Sequence, residues 1–216
     1  MNLENLKSVP YKCNQSGSCC VNNLVMLNPF DIFRIAKHLN VTAKYLFQNR
    51  IFAYQIIPST YWMEPTIQLK PNSACQFLYR DKVETEKLKC KVYESRPFTC
   101  RIFPLKFDPD NNIYLRGEKG ENRCRGCVDE SINIDLNEYL QPVLNDKLQE
   151  EYTEYRNFVE SLSLRGYNIK EIKNKKDKQK IFFNIQALLY ETFPTIDNEE
   201  FYPFEKVKEK IEEMLI

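Results

Sequence analysis

The sequence is poor in histidine and glycine, has almost no net charge and contains no long apolar run. One histidine among 216 residues excludes most hydrolytic zinc sites, because these sites rely on histidine ligands. Lys plus Arg number 31 against 30 for Asp plus Glu, so no global field favours nucleic acid or an anionic membrane. No stretch approaches the roughly 18 apolar residues of a membrane span. We therefore expect neither a nucleic-acid partner nor a membrane partner.

The cysteine content is high for a cytoplasmic protein, which is the localisation that the sequence predicts. Residues 1–12 lack the basic start and the apolar run of a secretory signal, so we expect a cytoplasmic protein. Cytosolic thiols are kept reduced, and eight cysteines therefore favour metal ligation over four disulfides. Ordinary buried or reactive thiols are the remaining alternative. A chain of this length can bury a core without metals or disulfides, so size alone does not require the cysteines.

Five of the eight cysteines lie in two local clusters. Cys13, Cys19 and Cys20 lie in one polar loop, with Gly17 as the hinge that permits a positive φ. Cys124 and Cys127 form a Cys-x-x-Cys pair, which is half of a zinc knuckle, half of a cluster site, or a redox dithiol. With six thiols upstream, a closing ligand pair is the better interpretation.

The remaining cysteines are Cys75 and two in the central segment 90–104. That segment holds two thiols, two arginines and two prolines, namely Cys90, Cys100, Arg96, Arg101, Pro97 and Pro104. The prolines fix φ at two points, so we expect a stiff and mostly non-helical segment. The arginines cannot lose their charge and are suited to offsetting thiolate charge around a metal. Surface ion pairs are the alternative role for them.

The coarse secondary structure predicts an α+β fold. Asn28-Pro29 and Thr42 start helices, and 51–69 predicts short strands broken by prolines. Strands are also expected at Cys75-Gln-Phe-Leu-Tyr, at Cys90-Lys-Val-Tyr and at 113–115, with a turn at 108–112. After residue 128 the apolar spacing becomes helical, in 135–145, 148–164, 177–193 and 203–216. We therefore predict a small, irregular cysteine-rich metal-binding domain at 1–130 and a helical C-terminal extension packed on it at 131–216.

The ordered motifs resemble a known family. They are Cys13, Gly17 with Cys19-Cys20, the 31–36 helix, Cys75-Gln-Phe-Leu, Cys90-Lys-Val-Tyr, Arg96-Pro97 and Cys100-Arg101-Ile-Phe-Pro104. Together they resemble the YkgJ-like cysteine-cluster family, whose domain is described as zinc- or iron-chelating. The spacing of five residues between Cys13 and Cys19 departs from the Cys-x-x-Cys-x-x-Cys-Cys pattern of that domain. The resemblance implies a metal or iron–sulfur protein and, for most members, no reaction.

Three functions remain open. The first is an iron–sulfur protein with a redox or protein-modifying role, in which all eight cysteines supply ligands and a 4Fe–4S cluster is the favoured centre. The second follows from a similar cysteine pattern in flagellin lysine N-methylase, and implies an enzyme that uses S-adenosylmethionine. No Gly-x-Gly-x-x-Gly motif supports that donor. The third is a structural zinc module that presents its helices to a protein or peptide partner.

Overall fold

The protein has an α+β fold with short antiparallel strand pairs and a helical C-terminal region, as the sequence predicted. The computed structural model describes residues 8–9, 16–58, 60–85, 87–107, 113–115, 134–140, 146–192 and 201–215. These residues belong to two compact units that are each discontinuous in sequence. The first draws on Met1–Asn23, Leu69–Tyr93 and Phe98–Gln149, and the second on Leu24–Gln68, Glu94–Pro97 and Glu150–Ile216. A domain boundary at residue 130 stays a prediction.

The strands within the described residues form two-stranded antiparallel sheets. They are β1 (Ser8–Val9), β2 (Phe52–Ile57), β3 (Trp62–Ile67), β4 (Leu78–Arg80), β5 (Leu88–Cys90), β6 (Leu105–Phe107), β7 (Ile113–Leu115) and β8 (Ile134–Asp135). The pairs are β1 with β8, β2 with β3, β4 with β5, and β6 with β7. Residue 75 was expected to begin a strand, but β4 starts at Leu78 and Cys75 makes only an isolated bridge with Leu69.

The helices of the described residues lie mostly in the second unit. They are α1 (Pro29–Leu39), α2 (Ala43–Gln48), α3 (Phe98–Arg101), α4 (Leu136–Leu140), α5 (Asp146–Leu164), α6 (Ile169–Ile172), α7 (Lys176–Ala187) and α8 (Phe204–Leu215). A π-helical turn, Leu188–Thr192, continues α7. Within the described residues, none of these helices combines the length and the apolar character that crossing a membrane requires.

The first unit is a set of short hairpins around a small apolar core. Leu78 of β4 faces Cys90 of β5, and Leu105 of β6 faces Leu115 of β7. Its buried side chains include Phe77, Leu78, Val92, Ile102 and Leu105. Few backbone groups in such short strands bond to one another, so turns and isolated bridges supply many of the contacts that hold the loops.

The second unit begins with two capped helices, both as predicted. The Asn28 side chain accepts a hydrogen bond from the N–H of Asp31, and the Asp31 carboxylate accepts one from Asn28 in return. This capping box satisfies N–H groups that a helix start leaves unbonded. Thr42 likewise accepts from the N–H of Tyr45 and starts α2. The predicted strands in 51–69 are the β2–β3 hairpin.

Aromatic side chains form the core of the second unit. Trp62 of β3 is fully buried and packs against Phe182 of α7 at 5.2 Å between ring centroids. Its indole N–H donates to the Tyr190 hydroxyl at 3.0 Å, and that hydroxyl also bonds to Tyr155. Helix α8 buries Phe204, Val207 and Ile211. The apolar stripe predicted for this helix therefore packs into the protein.

Candidate metal centre

The loop that carries Cys19 and Cys20 is shaped by a glycine and a short 3-10 turn. Gly17 has φ of 70°, as predicted, and precedes the turn Ser18–Cys20. A Cβ atom at residue 17 would lie 2.7 Å from Cδ1 of Leu88, so a side chain there would collide with β5. The Sγ atoms of Cys19 and Cys20 are 3.7 Å apart. That is far beyond the roughly 2.05 Å of a disulfide bond, so the two sulfurs are neighbouring thiols.

Backbone pairing joins this loop to the segment around Cys75. The N–H of Cys75 donates to the carbonyl of Cys20 at 2.7 Å, and Val21 forms a bridge with Ala74. One residue further on, the N–H of Asn22 donates to the carbonyl of Ser73 at 2.9 Å. The Cys19–Cys20 pair and the distant Cys75 are thereby held on adjacent backbone segments.

The sulfur of Cys75 already has hydrogen-bond donors. Its side chain is buried, which raises the pKa of the thiol, but backbone N–H groups of Phe77 and Leu78 and the Lys70 ammonium act in the opposite direction. Donors and cations that lower a thiol pKa do so by stabilising the thiolate. Hydrogen bonds of this kind are also what tunes the sulfur ligands of metal centres.

The thiols of Cys19, Cys75 and Cys100 all raise the pKa of Cys20. The pKa of Cys20 is strongly raised, first by its hydrogen bond with Cys19, then by burial, and then by the charges that Cys19, Cys75 and Cys100 would carry. The sulfurs of Cys19, Cys75 and Cys100 therefore each lie within electrostatic range of Cys20. A cation among them would remove the repulsion, because opposite charge favours the ionised form of each thiol.

Cys90 and Cys100 lie in the central segment, both half-buried. Cys90 is the last residue of β5 and faces Leu78, which places it at the end of the hairpin near Cys75. Cys100 lies in α3, so the predicted non-helical segment contains one helical turn directly after Pro97. Proline suits this position because its missing N–H would have no helical partner there. The carbonyl of Phe103, which follows α3, accepts a hydrogen bond from the Tyr139 hydroxyl of α4.

For the other predicted site residues the structure does not test the predicted role. Arg101 follows Cys100 in α3, whereas Arg96 is half-buried in a segment assigned to the second unit, so charge balance by these arginines stays a prediction. Cys13, Cys124 and Cys127 lie outside the described residues. In the part of the chain that the structure describes, no three His, Cys, Asp or Glu side chains are already spaced to hold one metal ion.

Lys70 is a candidate site residue that the sequence reasoning missed. Its ammonium donates to the carbonyl of Leu78 at 2.6 Å and partly opposes the rise that burial causes in the pKa of Cys75. Its N–H also bonds to the carbonyl of Ala74 at 2.7 Å, so one lysine connects the Cys75 turn to β4. No sequence motif marks a lysine five residues before Cys75 as part of a site, because the contact of Lys70 with Leu78 forms only when the intervening turn closes.

The sequence comparison identifies the domain that these cysteines form. Residues 12–128 match the CxxCxxCC family, which carries the description "putative zinc- or iron-chelating domain". The match covers more than half of the 216 residues. The chain belongs to this family. The predicted resemblance to YkgJ-like cysteine-cluster proteins is thereby confirmed, and metal binding in general is supported. No curated protein and no solved structure matches the chain.

The donor chemistry of the CxxCxxCC domain fits a thiophilic metal. Zinc binds cysteine sulfur at about 2.3 Å, so two ligands at a tetrahedral zinc ion lie roughly 3.8 Å apart. The Sγ atoms of Cys19 and Cys20 have nearly that separation, at 3.7 Å. Cys75 and Cys100 are described thiols whose charge would act on Cys20.

Proposed function

We propose that the CxxCxxCC domain binds a single tetrahedral zinc ion through cysteine thiolates, with Cys19 and Cys20 as neighbouring ligands of the same ion. The Sγ separation of 3.7 Å carries this proposal, because two thiolates on one tetrahedral ion require about that distance. Iron in the same thiolate set would have the same geometry. Zinc is favoured because affinity rises from Fe²⁺ to Zn²⁺ for a given ligand set.

The same separation argues against the 4Fe–4S cluster that the sequence favoured. In such a cluster each iron takes one cysteine, so two ligands bind different irons and their sulfurs lie much further apart than two ligands on one atom. Cys19 and Cys20 are adjacent in a 3-10 turn, and their backbone is held by the bond from Cys75. Spreading their sulfurs onto two irons would require this turn to change.

A thiolate zinc site of this kind is architectural. Fully thiolate sites are closed and contribute folding energy, since the metal binds the folded arrangement only. Here the ion would fix the Cys19–Cys20 turn, the Cys75 turn and α3 in one arrangement. This favours the third of the functions left open by the sequence, a structural zinc module with a protein partner.

The first test is metal analysis of protein purified without oxygen, with zinc, iron and acid-labile sulfide assayed on one sample. We expect about one zinc per chain and no sulfide. The variants Cys19→Ser and Cys20→Ser should each lose zinc, whereas Val21→Ala, a change at the exposed neighbour of Cys20, should retain it. Iron and sulfide in equal amounts would overturn the proposal and restore the cluster hypothesis.

The enzyme hypothesis is tested separately. Calorimetric titration of metal-loaded protein with S-adenosylmethionine should give no binding heat if the domain is architectural. Saturable binding at about one molecule per chain would favour the lysine N-methylase hypothesis instead.

A further inference from the structure

The second unit carries a concentrated basic surface that the metal site does not use. Six lysines fall within eleven residues of α6, the following turn and the start of α7, against only two acids, Glu171 and Asp177. We call these residues the lysine surface: Lys170, Lys173, Lys175, Lys176, Lys178 and Lys180. Five are exposed, and Lys178 is half-buried.

None of the six lysines makes an ion pair with any residue that the structure describes. Cations elsewhere in those residues do make such pairs. Arg34 bonds to Asp31 and Glu151, and Lys208 bonds to Glu154 and Glu205. Lys89 likewise pairs with Asp81 at 2.6 Å. The lysine surface is therefore a local excess of positive charge without ion pairs to the described residues.

The local helix geometry makes this excess unfavourable. Lys176 and Lys178 lie in the first turn of α7, where the helix dipole disfavours cations, and the N-cap Lys175 makes no side-chain cap bond. Lys176 and Lys180 are four residues apart on one helix face, where like charges repel. Departures from local preference of this kind are expected where a surface serves a function.

The backbone under these lysines is well fixed. Asn168 caps α6 by accepting from the N–H of Glu171, and Gln179 donates to the carbonyls of Ile172 and Lys173. The Lys170 ammonium lies over the Tyr61 ring at 5.3 Å, and the Lys178 ammonium over the Tyr167 ring at 4.9 Å. The charges thus stand on an ordered scaffold, which lowers the entropy lost when a partner binds.

We propose that the lysine surface is a docking site for an acidic segment of another polypeptide. The positive charge is complementary to glutamate- and aspartate-rich segments, and complementary charge directs encounter and orientation. Phe183 is exposed three residues after Lys180 and provides an apolar contact beside the charges. The partner class is thus an acidic peptide that also carries apolar side chains.

Two other polyanions fit the surface less well. The six residues are all lysine, whereas bidentate phosphate recognition favours arginine. The Lys170 and Lys178 ammonium groups lie over the Tyr61 and Tyr167 rings, where they compete with nucleic-acid bases for stacking on those ring faces. The exposed face of α7 carries one large apolar residue, Phe183, where a helix that binds a lipid surface needs a continuous apolar face.

The test uses the full chain and a fluorescent peptide in which glutamates alternate with leucines, followed by anisotropy at low and high salt. The patch variant is Lys173→Gln with Lys175→Gln and Lys176→Gln. Its matched control, Lys44→Gln with Lys82→Gln and Lys210→Gln, changes the same amount of charge at exposed lysines elsewhere. We expect the patch variant to lose about tenfold or more in affinity and the control less than about twofold, with binding weakened by salt.

Hydrogen exchange provides a second readout that needs no variant. Peptide binding should slow exchange in 169–183 and leave 204–215 unchanged. Equal losses in the two variants, no binding at low salt, or protection elsewhere would overturn the proposal. The same holds if a single-stranded RNA or vesicles rich in phosphatidylserine bind the lysine surface about tenfold more tightly than the peptide.

Discussion

The backbone N–H of Cys75 donates a hydrogen bond to the carbonyl of Cys20 at 2.7 Å. Together with the Val21–Ala74 bridge and the bond from Asn22 to Ser73, this bond joins two cysteine segments that are far apart in the chain. Backbone pairing between these distant segments therefore brings the thiols together, and the metal centre is expected to depend on both segments.

Replacing Cys75 by Ser should weaken metal binding by more than about 100-fold, because changes outside the ligand set already cost 10- to 100-fold. The expected measurement is competition with a chromophoric zinc chelator. Gln76→Ala is the matched control, since it alters the half-buried neighbour and keeps the sulfur. Equal zinc affinity in Cys75→Ser and the unchanged protein would remove Cys75 from the site.

Lys70→Met should lower zinc affinity by about tenfold, because it removes the donor to the Leu78 carbonyl and the cation near Cys75. Lys70→Arg should recover most of the loss, since it restores the charge. Lys82→Met serves as the control at an exposed lysine of the same unit. If methionine and arginine variants bind zinc alike, Lys70 has only a packing role.

Gly17→Ala should destabilise the first unit by about 1–3 kcal/mol, the range for a side chain forced into a strained backbone region. Gly166→Ala is an informative comparison because its φ of 84° is also positive, but its Cβ would meet only the flexible Lys178 ammonium at 3.3 Å. The Gly17 variant should lose more stability and also zinc. Hydrogen exchange of each unit measures the loss of stability in the two variants, and metal analysis measures the loss of zinc. Identical losses of stability would contradict the collision with Leu88.

Glu64→Gln should make the second unit more stable at pH 8 by about 1–3 kcal/mol. Burial raises the pKa of Glu64 to about 7, with Arg156 partly opposing the shift. The folded state thus holds this proton more tightly than the unfolded chain, so stability falls as pH rises from about 4.5 to about 7. The variant should lose this dependence.

Urea unfolding at several pH values, followed by the fluorescence of Trp62, measures this pH dependence of stability. Trp62 is the single tryptophan, lies two residues from Glu64 and is fully buried. Glu160→Gln, at an exposed position of α5, is the matched control and should leave the pH dependence intact. An unaltered pH profile in Glu64→Gln would show that another group is responsible.

Local signals in the sequence were sufficient for much of the fold. Asn28 and Thr42 were predicted as helix starts from their side-chain chemistry, and both make the expected cap bonds. The need for glycine at residue 17 was likewise local, since a tight ligand loop requires positive φ. The two caps and the positive φ of Gly17 depend on neighbours within a few residues, whereas the collision with Leu88 depends on a distant strand.

The site itself depends on contacts between distant segments, which periodicity does not encode. The bond between Cys75 and Cys20 and the reach of Lys70 to Leu78 arise only when the turns close. The separation of the Cys19 and Cys20 sulfurs depends on side-chain torsions in the 3-10 turn. The expectation of a strand starting at Cys75 was wrong for a similar reason, because that residue bonds across to Cys20 and Leu69 before β4 begins.

The discontinuous path of the chain has a consequence for the order of folding. Between Cys20 and Cys75 the chain leaves the first unit and forms α1, α2, β2 and β3 within the second. The base of this excursion is closed by the bond from the N–H of Leu27 to the carbonyl of Pro65 at 2.8 Å. Folding of the excursion brings the two chain ends at its base together. It therefore lowers the entropic cost of closing the loop between Cys20 and Cys75. We therefore expect metal binding to follow the folding of this excursion.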